Sequence, residues 1–92
     1  NETFKKSFDL EYGSTSIEIQ KNTQIDSEQK IVIVDDLVAT GGTAIACAEL
    51  FTDNFNIKHS NILILSVINL EDLGGRKLIL NKGFAIQTII DY

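Results

Sequence analysis

An unbroken run of β-branched residues, Ile31 to Val34, limits the possible folds of this chain more than any other feature. Such a run predicts a strand that is buried on both faces, as in a parallel sheet. A helical pattern of apolar residues follows over Thr43 to Phe55, and a second apolar run from Asn61 to Leu70 predicts another buried strand. Strand, helix and strand in this order indicate a βαβ unit with parallel strands and a right-handed crossover.

Shorter segments on either side of this unit complete a predicted α/β architecture. Phe8 to Tyr12 and Ser16 to Gln20 flank Gly13-Ser14-Thr15, and this arrangement predicts an amino-terminal β-hairpin connected through Gly13 to Thr15. Glu71 to Leu80 predicts a short helix, and Gly83 to Tyr92 predicts the last strand. We expect a single domain over residues 1–92.

Composition and charge exclude several classes of protein. The chain has 92 residues and a net charge of -5, which disfavours broad binding to nucleic-acid phosphates or to anionic membranes. No apolar run approaches the about 20 residues that span a bilayer. The lone cysteine, Cys47, excludes an internal disulfide framework and a cysteine zinc cage. We expect a soluble, cytoplasmic protein that binds neither nucleic acid nor membrane.

The predicted sheet lacks part of its cover. Parallel sheets normally carry helices on both faces, whereas only one long helix is predicted here. An uncovered face would form a large apolar patch. We therefore expect another segment or another chain to cover it.

The segment between the first predicted strand and the helix carries the chemistry. Ligands of open α/β sheets bind beyond the carboxyl ends of strands, where this segment lies. Gly41 and Gly42 allow a ligand to approach the main chain, and Thr40 and Thr43 add hydroxyl groups. The following helix presents free N–H groups and the positive end of its dipole. Together these groups predict a cradle for a terminal phosphate.

The cradle differs from the common nucleotide-binding loops. No Lys or Arg lies between Ile31 and Phe55, so the donors are mainly neutral, whereas a Walker A loop requires a lysine. The G-x-G-x-x-G spacing of a dinucleotide turn is also missing. Several hydrogen bonds of roughly 1.5–3 kcal/mol each suffice to hold a phosphate monoester, but not to neutralise a pyrophosphate.

Two consecutive carboxylates, Asp35 and Asp36, precede the cradle. Their side chains should diverge, because successive residues of a strand point to opposite faces. Carboxylates at this place suit hydrogen bonds to sugar hydroxyls, and they attract Mg²⁺ directly or through water. A phosphate cradle next to carboxylates that accept hydrogen bonds from sugar hydroxyls is the arrangement expected of a ribose 5-phosphate site. The alternative is a plain helix start with two solvated aspartates.

At these residues the sequence resembles the type I phosphoribosyltransferases, and within them the adenine phosphoribosyltransferases. The resemblance is carried by Val34-Asp35-Asp36-Leu37, Ala39-Thr40-Gly41-Gly42-Thr43, Leu10-Glu11-Tyr12-Gly13 and Ile17-Glu18-Ile19-Gln20. The two hairpin motifs distinguish the chain from relatives that act on orotate, hypoxanthine or uracil. Residues 69–92 resemble the family only loosely. The resemblance implies a partial type I phosphoribosyltransferase fold, a parallel βαβ core with an amino-terminal β-hairpin.

The resemblance also implies a reaction, in which adenine and phosphoribosyl pyrophosphate give AMP and pyrophosphate with Mg²⁺. Ala39 to Thr43 would bind the 5-phosphate, and Asp35 and Asp36 would face the ribose hydroxyls and the metal, through water. Glu11 would be the catalytic acid–base residue near the purine, and Tyr12 would bind substrate by helping to order the catalytic loop. The intact enzyme would be a homodimer.

The resemblance begins about halfway along a typical member of the family. The region that recognises adenine and the pyrophosphate-binding loop are missing from the chain. We therefore expect the carboxyl-terminal half of a longer enzyme, inactive by itself. The alternatives are a non-catalytic module that senses phosphoribosyl pyrophosphate, which the presence of Glu11 disfavours, and a phosphoribosyltransferase for another base.

Overall fold

A computed structural model describes residues 2–10, 13–21 and 24–92. Its strands and helices follow one another along the chain as β1 (Thr3–Leu10), β2 (Gly13–Gln20), β3 (Ile31–Val38), α1 (Gly42–Phe55), β4 (Ile62–Asn69), α2 (Gly75–Asn81) and β5 (Ala85–Asp91). Short 3₁₀ turns, His59–Asn61 and Glu71–Leu73, precede β4 and α2. Within the described ranges, no helix combines the length and the apolar content that crossing a bilayer requires.

The amino-terminal hairpin is confirmed, but its predicted connection is wrong. β1 and β2 pair antiparallel from Thr3 with Gln20 to Leu10 with Gly13, so Gly13 to Thr15 belong to β2. Strand pairing outweighs the local turn preference of this Gly-Ser-Thr segment, because each paired residue adds backbone hydrogen bonds.

The βαβ unit is confirmed, and a second crossover extends it. The strand order is β3-β4-β5, and both pairs are parallel, with Ile64 of β4 between Ile33 and Ile86. β3 is longer than the predicted Ile31 to Val34, because residues 35–38 continue to pair with β4. The predicted helix over Glu71 to Leu80 is divided by Gly74, whose φ of 77° lies in the left-handed region.

The core fills one side of the sheet. α1 and α2 both pack there, and the hairpin contacts α1 through Phe4, whose ring lies edge-on to Phe55 with 5.6 Å between centroids. Lys6 adds ion pairs to Glu49 and Asp53, each at 3.4 Å. The buried core residues are Val38, Ala44, Ile45, Ala48, Ile57, Ile62, Ile64, Ile79 and Phe84.

The opposite face of the sheet is open and apolar, so the prediction that β3 is buried on both faces is wrong. Val34 is 73% exposed, and Val32, Val67 and Ile89 are also exposed. The register places these side chains on one face, because Val32 and Val34 pair with Leu63 and Leu65 of β4. β3 alternates half-buried and exposed residues, since α1 and α2 cover only the other face. That another segment or chain covers the open face stays a prediction.

A cluster of polar side chains, the Arg76 cluster, joins the start of α2 to the carboxyl ends of β4 and β5. Arg76 donates hydrogen bonds to Asp91 at 2.5 Å, Thr88 at 2.6 Å and Glu71 at 3.1 Å. Buried Asn69 completes the cluster with bonds to Glu71 and Asp91. The cluster fixes α2 against the sheet edge that also carries the predicted phosphate site.

The Arg76 cluster predicts a measurable pH dependence. Hydrogen bonds from Thr88, and next from Arg76 and Asn69, hold the pKa of the Asp91 carboxyl below its usual range. This ionised carboxylate therefore stabilises the fold above the unfolded pKa of about 3.9, and that stabilisation is lost as the pH falls through the lower folded pKa. A carboxyl NMR titration should show an Asp91 midpoint below about 3.9 that rises in Thr88→Val but not in Thr88→Ser. An unchanged midpoint in Thr88→Val would contradict this assignment.

Candidate functional site

Residues 35–44 line a cleft of about 300 Å³ at the carboxyl end of β3. The strand, the turn of residues 39–41 and the first turn of α1 all border it. Because β3 is parallel to β4 and β5, the carboxyl ends of these strands meet at the same edge, as in other α/β ligand sites. The structure thus brings the predicted phosphate residues, Ala39 to Thr43, together with Asp35 and Asp36 in one cleft.

The turn ends in Gly41, the residue that directly precedes α1. Gly41 has a φ of 89°, and its carbonyl accepts the first helical hydrogen bond, from Ile45 N–H at 2.9 Å. In an α-helix, the N–H groups that precede this bond have no partner within the helix. In α1 these belong to Gly42, Thr43 and Ala44. No side chain caps α1, and its first turn contains no acidic residue. The start of α1 therefore offers an anion N–H groups and an unopposed dipole.

The two threonines that flank the start of α1 are exposed, whereas Gly41, one of the two glycines between them, is buried. Thr40 and Thr43 are accessible from solvent, and Gly41 packs against the backbone of Gly75. Hydroxyl groups at these places can donate to a ligand oxygen beside the N–H groups of α1. The arrangement provides neutral donors only, in agreement with the sequence.

The aspartates diverge as the strand period requires. Asp35 is half-buried on the helix-covered face, whereas Asp36 is exposed on the open face. The N–H of Asp36 donates to Oδ1 of Asp35 at 2.8 Å. Burial raises the pKa of the Asp35 carboxyl; the hydrogen bond from the Asp36 N–H partly offsets this rise, and the Asp36 side chain adds to it. The cleft therefore combines one sheltered carboxylate with one that is open to solvent.

The donor set is compatible with a hydrated Mg²⁺ ion. Among the described residues, no group of three or more His, Cys, Asp or Glu side chains converges in the way a protein cage for a metal would. Mg²⁺ needs no such cage, because it keeps several waters and uses one or two carboxylates with substrate oxygens. Because the side chains of Asp35 and Asp36 diverge, one carboxylate of this strand end, with waters and substrate oxygens, would suffice for this mode.

Two predicted site residues, Glu11 and Tyr12, lie outside the described residues. Their predicted roles therefore stay predictions.

Two backbone contacts of the site were not predicted from the sequence. The N–H of Gly75, at the start of α2, donates to the carbonyl of Ala39 at 3.1 Å. Leu70 N–H also donates to the carbonyl of Val38 at 2.9 Å. The Gly74-Gly75 pair was the available signal, since adjacent glycines often mark a close approach of two backbones. In the sequence it indicated only a weak helix.

Known proteins are similar to the chain in sequence and in architecture. No protein-family model matches the chain. The adenine phosphoribosyltransferase of Pelagibacter ubique is 40% identical over 94 residues, which take in 99% of this chain and 50% of that protein. The chain spans about half the length of the curated relatives it matches.

Solved structures agree with the sequence comparison. The adenine phosphoribosyltransferase of Thermoanaerobacter pseudethanolicus matches with a TM-score of 0.81 at 41% identity, over 99% of this chain and 49% of its own. The Giardia lamblia APRTase complexed with 9-deazaadenine gives a TM-score of 0.86 at 33% identity, over 99% and 50%. By sequence and by its partial type I phosphoribosyltransferase fold, the chain is similar, over 99% of its own length, to about half of an adenine phosphoribosyltransferase.

Proposed function

We propose that the protein is a purine-salvage transferase that forms AMP and pyrophosphate from adenine and phosphoribosyl pyrophosphate. In this proposal, the chain carries the ribose 5-phosphate site. The observation that supports it most is the single cleft in which Ala39 to Thr43, at the uncapped start of α1, lie beside Asp35 and Asp36. The complex of the Giardia lamblia relative with 9-deazaadenine supports adenine as the base.

The cradle is suited to a phosphate monoester. Its N–H and hydroxyl donors belong to neighbouring residues at the start of α1 that line one cleft, and hydrogen bonds to a charged group contribute roughly 1.5–3 kcal/mol each. Since no Lys or Arg lies in residues 31–55, a second phosphate group would find no cationic partner there. The 5-phosphate therefore occupies the cradle and fixes the position of the sugar.

Asp35 and Asp36 would hold the ribose hydroxyls and, through water, a Mg²⁺ ion. The ion would supply positive charge to the pyrophosphate oxygens. In the reaction, the bond from C1′ to the pyrophosphate oxygen breaks, a bond from C1′ to N9 of adenine forms, and the N9 proton passes to a general base, the role that the resemblance gives to Glu11. The family resemblance supports Glu11 as the acid–base residue and Tyr12 as a residue that orders the catalytic loop. It also supports an intact, cytoplasmic enzyme that is a homodimer.

Calorimetry with ribose 5-phosphate, AMP and adenosine tests the cradle directly. We expect the intact protein to bind both phosphate compounds and to bind adenosine at least about tenfold more weakly, because adenosine lacks the phosphate. Equal affinity for AMP and adenosine would contradict the phosphate site. A turnover assay with adenine, hypoxanthine or orotate then identifies the base. Phosphoribosyl pyrophosphate binding without turnover of any base would instead indicate a sensing module.

Asp36→Asn should reduce turnover about tenfold to hundredfold, because it removes a charged hydrogen-bond acceptor that contributes roughly 1.5–3 kcal/mol. Asp36 is exposed, so the fold should keep its stability. Steady-state kinetics over a Mg²⁺ series measure the effect. Asp72→Asn is the matched control, since it removes the same charge from an exposed position outside the cleft. Equal rates for the two variants would rule out a role for Asp36.

A further inference from the structure

We propose that Gly75 is a positioning residue for the phosphate cradle, an inference that rests on the function proposed for residues 39–43. Gly75 lies at the first position of α2, far along the chain from the cradle, and it is buried. Its N–H donates to the carbonyl of Ala39, the first residue of the cradle. This bond fixes the start of the turn to the start of α2.

The contact is so close that only glycine fits at position 75. A β-carbon on Gly75 would lie 2.4 Å from the carbonyl oxygen of Ala39, 2.8 Å from Cγ1 of Val38 and 3.0 Å from the nitrogen of Gly41. Two of these atoms belong to the backbone of the turn, which cannot rotate away as a side chain can. To restore ordinary van der Waals contact, the turn would have to retreat by roughly 1 Å.

The close contact between Gly75 and the turn is also evident from the side of Gly41. A β-carbon on Gly41 would lie 3.2 Å from both Cα and the carbonyl oxygen of Gly75. The two backbones are therefore in direct contact, with no side chain between them. The place of the Gly41 turn, and so the direction of the N–H groups that follow it, is set by the start of α2.

The Arg76 cluster holds the other side of this contact. Arg76 follows Gly75 directly and is bonded to Glu71, Thr88 and Asp91, which belong to the segment after β4 and to β5. The start of α2 is thus fixed to the sheet. A β-carbon added at position 75 would therefore displace the turn rather than α2. A displaced cradle would lose affinity for phosphate, since the loss of one hydrogen bond to a charged group costs at least about tenfold in affinity.

The test compares Gly75→Ala with Gly74→Ala in the intact protein. Gly74 has a φ of 77° but no atom within 4 Å of a β-carbon, so its alanine variant strains the backbone without touching the cradle. For Gly75→Ala we expect at least tenfold weaker binding of ribose 5-phosphate by calorimetry. We also expect a raised KM for phosphoribosyl pyrophosphate with the KM for adenine unchanged. Gly74→Ala should lower the melting temperature by about 5 °C and leave both constants unchanged.

Backbone amide shifts of Gly41, Gly42 and Thr43, recorded without ligand, separate this inference from the proposed function. They should move in Gly75→Ala and not in Gly74→Ala, even if the wild-type protein were to bind no sugar phosphate. Unmoved shifts, or ribose 5-phosphate affinity equal to that of the wild type, would overturn the positioning role.

If Gly75→Ala fails to fold, Arg76→Ala tests the positioning role instead. It removes the partly exposed anchor of α2 and keeps both glycines, so it should fold, shift the same three amides and weaken ribose 5-phosphate binding about two- to fivefold. Unchanged amides and affinity in Arg76→Ala would overturn the proposal.

Discussion

Gly41→Ala should abolish most binding of ribose 5-phosphate and AMP, with affinity reduced about tenfold to hundredfold. Two effects combine at this position. The φ of 89° costs an L-residue about 1–2 kcal/mol, and the added β-carbon lies only 3.2 Å from the backbone of Gly75. Relief of either effect moves the turn that starts α1, and with it the N–H groups of the cradle. Calorimetry with both ligands measures the loss.

Gly83→Ala is the matched control for Gly41→Ala. Gly83 has nearly the same backbone angle, a φ of 90°, but a β-carbon there would meet only the ring and Cβ of His59 at the ordinary distance of 3.6 Å or more. Both variants should therefore carry the same backbone cost, to which Gly41→Ala adds the contact with Gly75, and only Gly41→Ala should lose ligand affinity. If Gly83→Ala weakened binding equally, the effect would come from general destabilisation and the cradle assignment would fail.

Local patterns predicted the βαβ core well, because its signals are contained in short stretches of sequence. The apolar period of α1 and the runs around Ile33 and Ile64 each identify an element without reference to the rest of the chain. The aspartates and the turn at Gly41 could be placed for the same reason, since a parallel strand and a helix start fix where they lie.

Long-range pairing limited the rest of the prediction. The extension of β3 to Val38 depends on partners in β4, and the inclusion of Gly13 in β2 depends on Leu10. The approach of Gly75 to Ala39 joins residues that are 36 positions apart in the numbering, and no local pattern specifies it. For Val34 the predicted burial needed a second layer, which the described residues do not supply.

Ile64→Ala should cause one of the largest losses of stability among the described residues. Ile64 is fully buried in the central strand β4, and its side chain belongs to the core cluster beneath α1 and α2. Truncation of a buried isoleucine to alanine costs about 2–5 kcal/mol, which is comparable to the whole stability of a small domain. Denaturant unfolding of the variant should show this loss as a lower midpoint.

Two valines of β3 extend this stability test to the open face. Val38→Ala and Val34→Ala remove the same atoms from one strand, but Val38 is 2% exposed and Val34 is 73% exposed. Two buried methyl groups contribute about 1.6 kcal/mol, so Val38→Ala should cost at least that much, and Val34→Ala less than about 0.5 kcal/mol. This difference holds for the chain with the open face in solvent. In a longer protein whose further segment covers that face, the cost of Val34→Ala should instead approach that of Val38→Ala, because both side chains would then be removed from water.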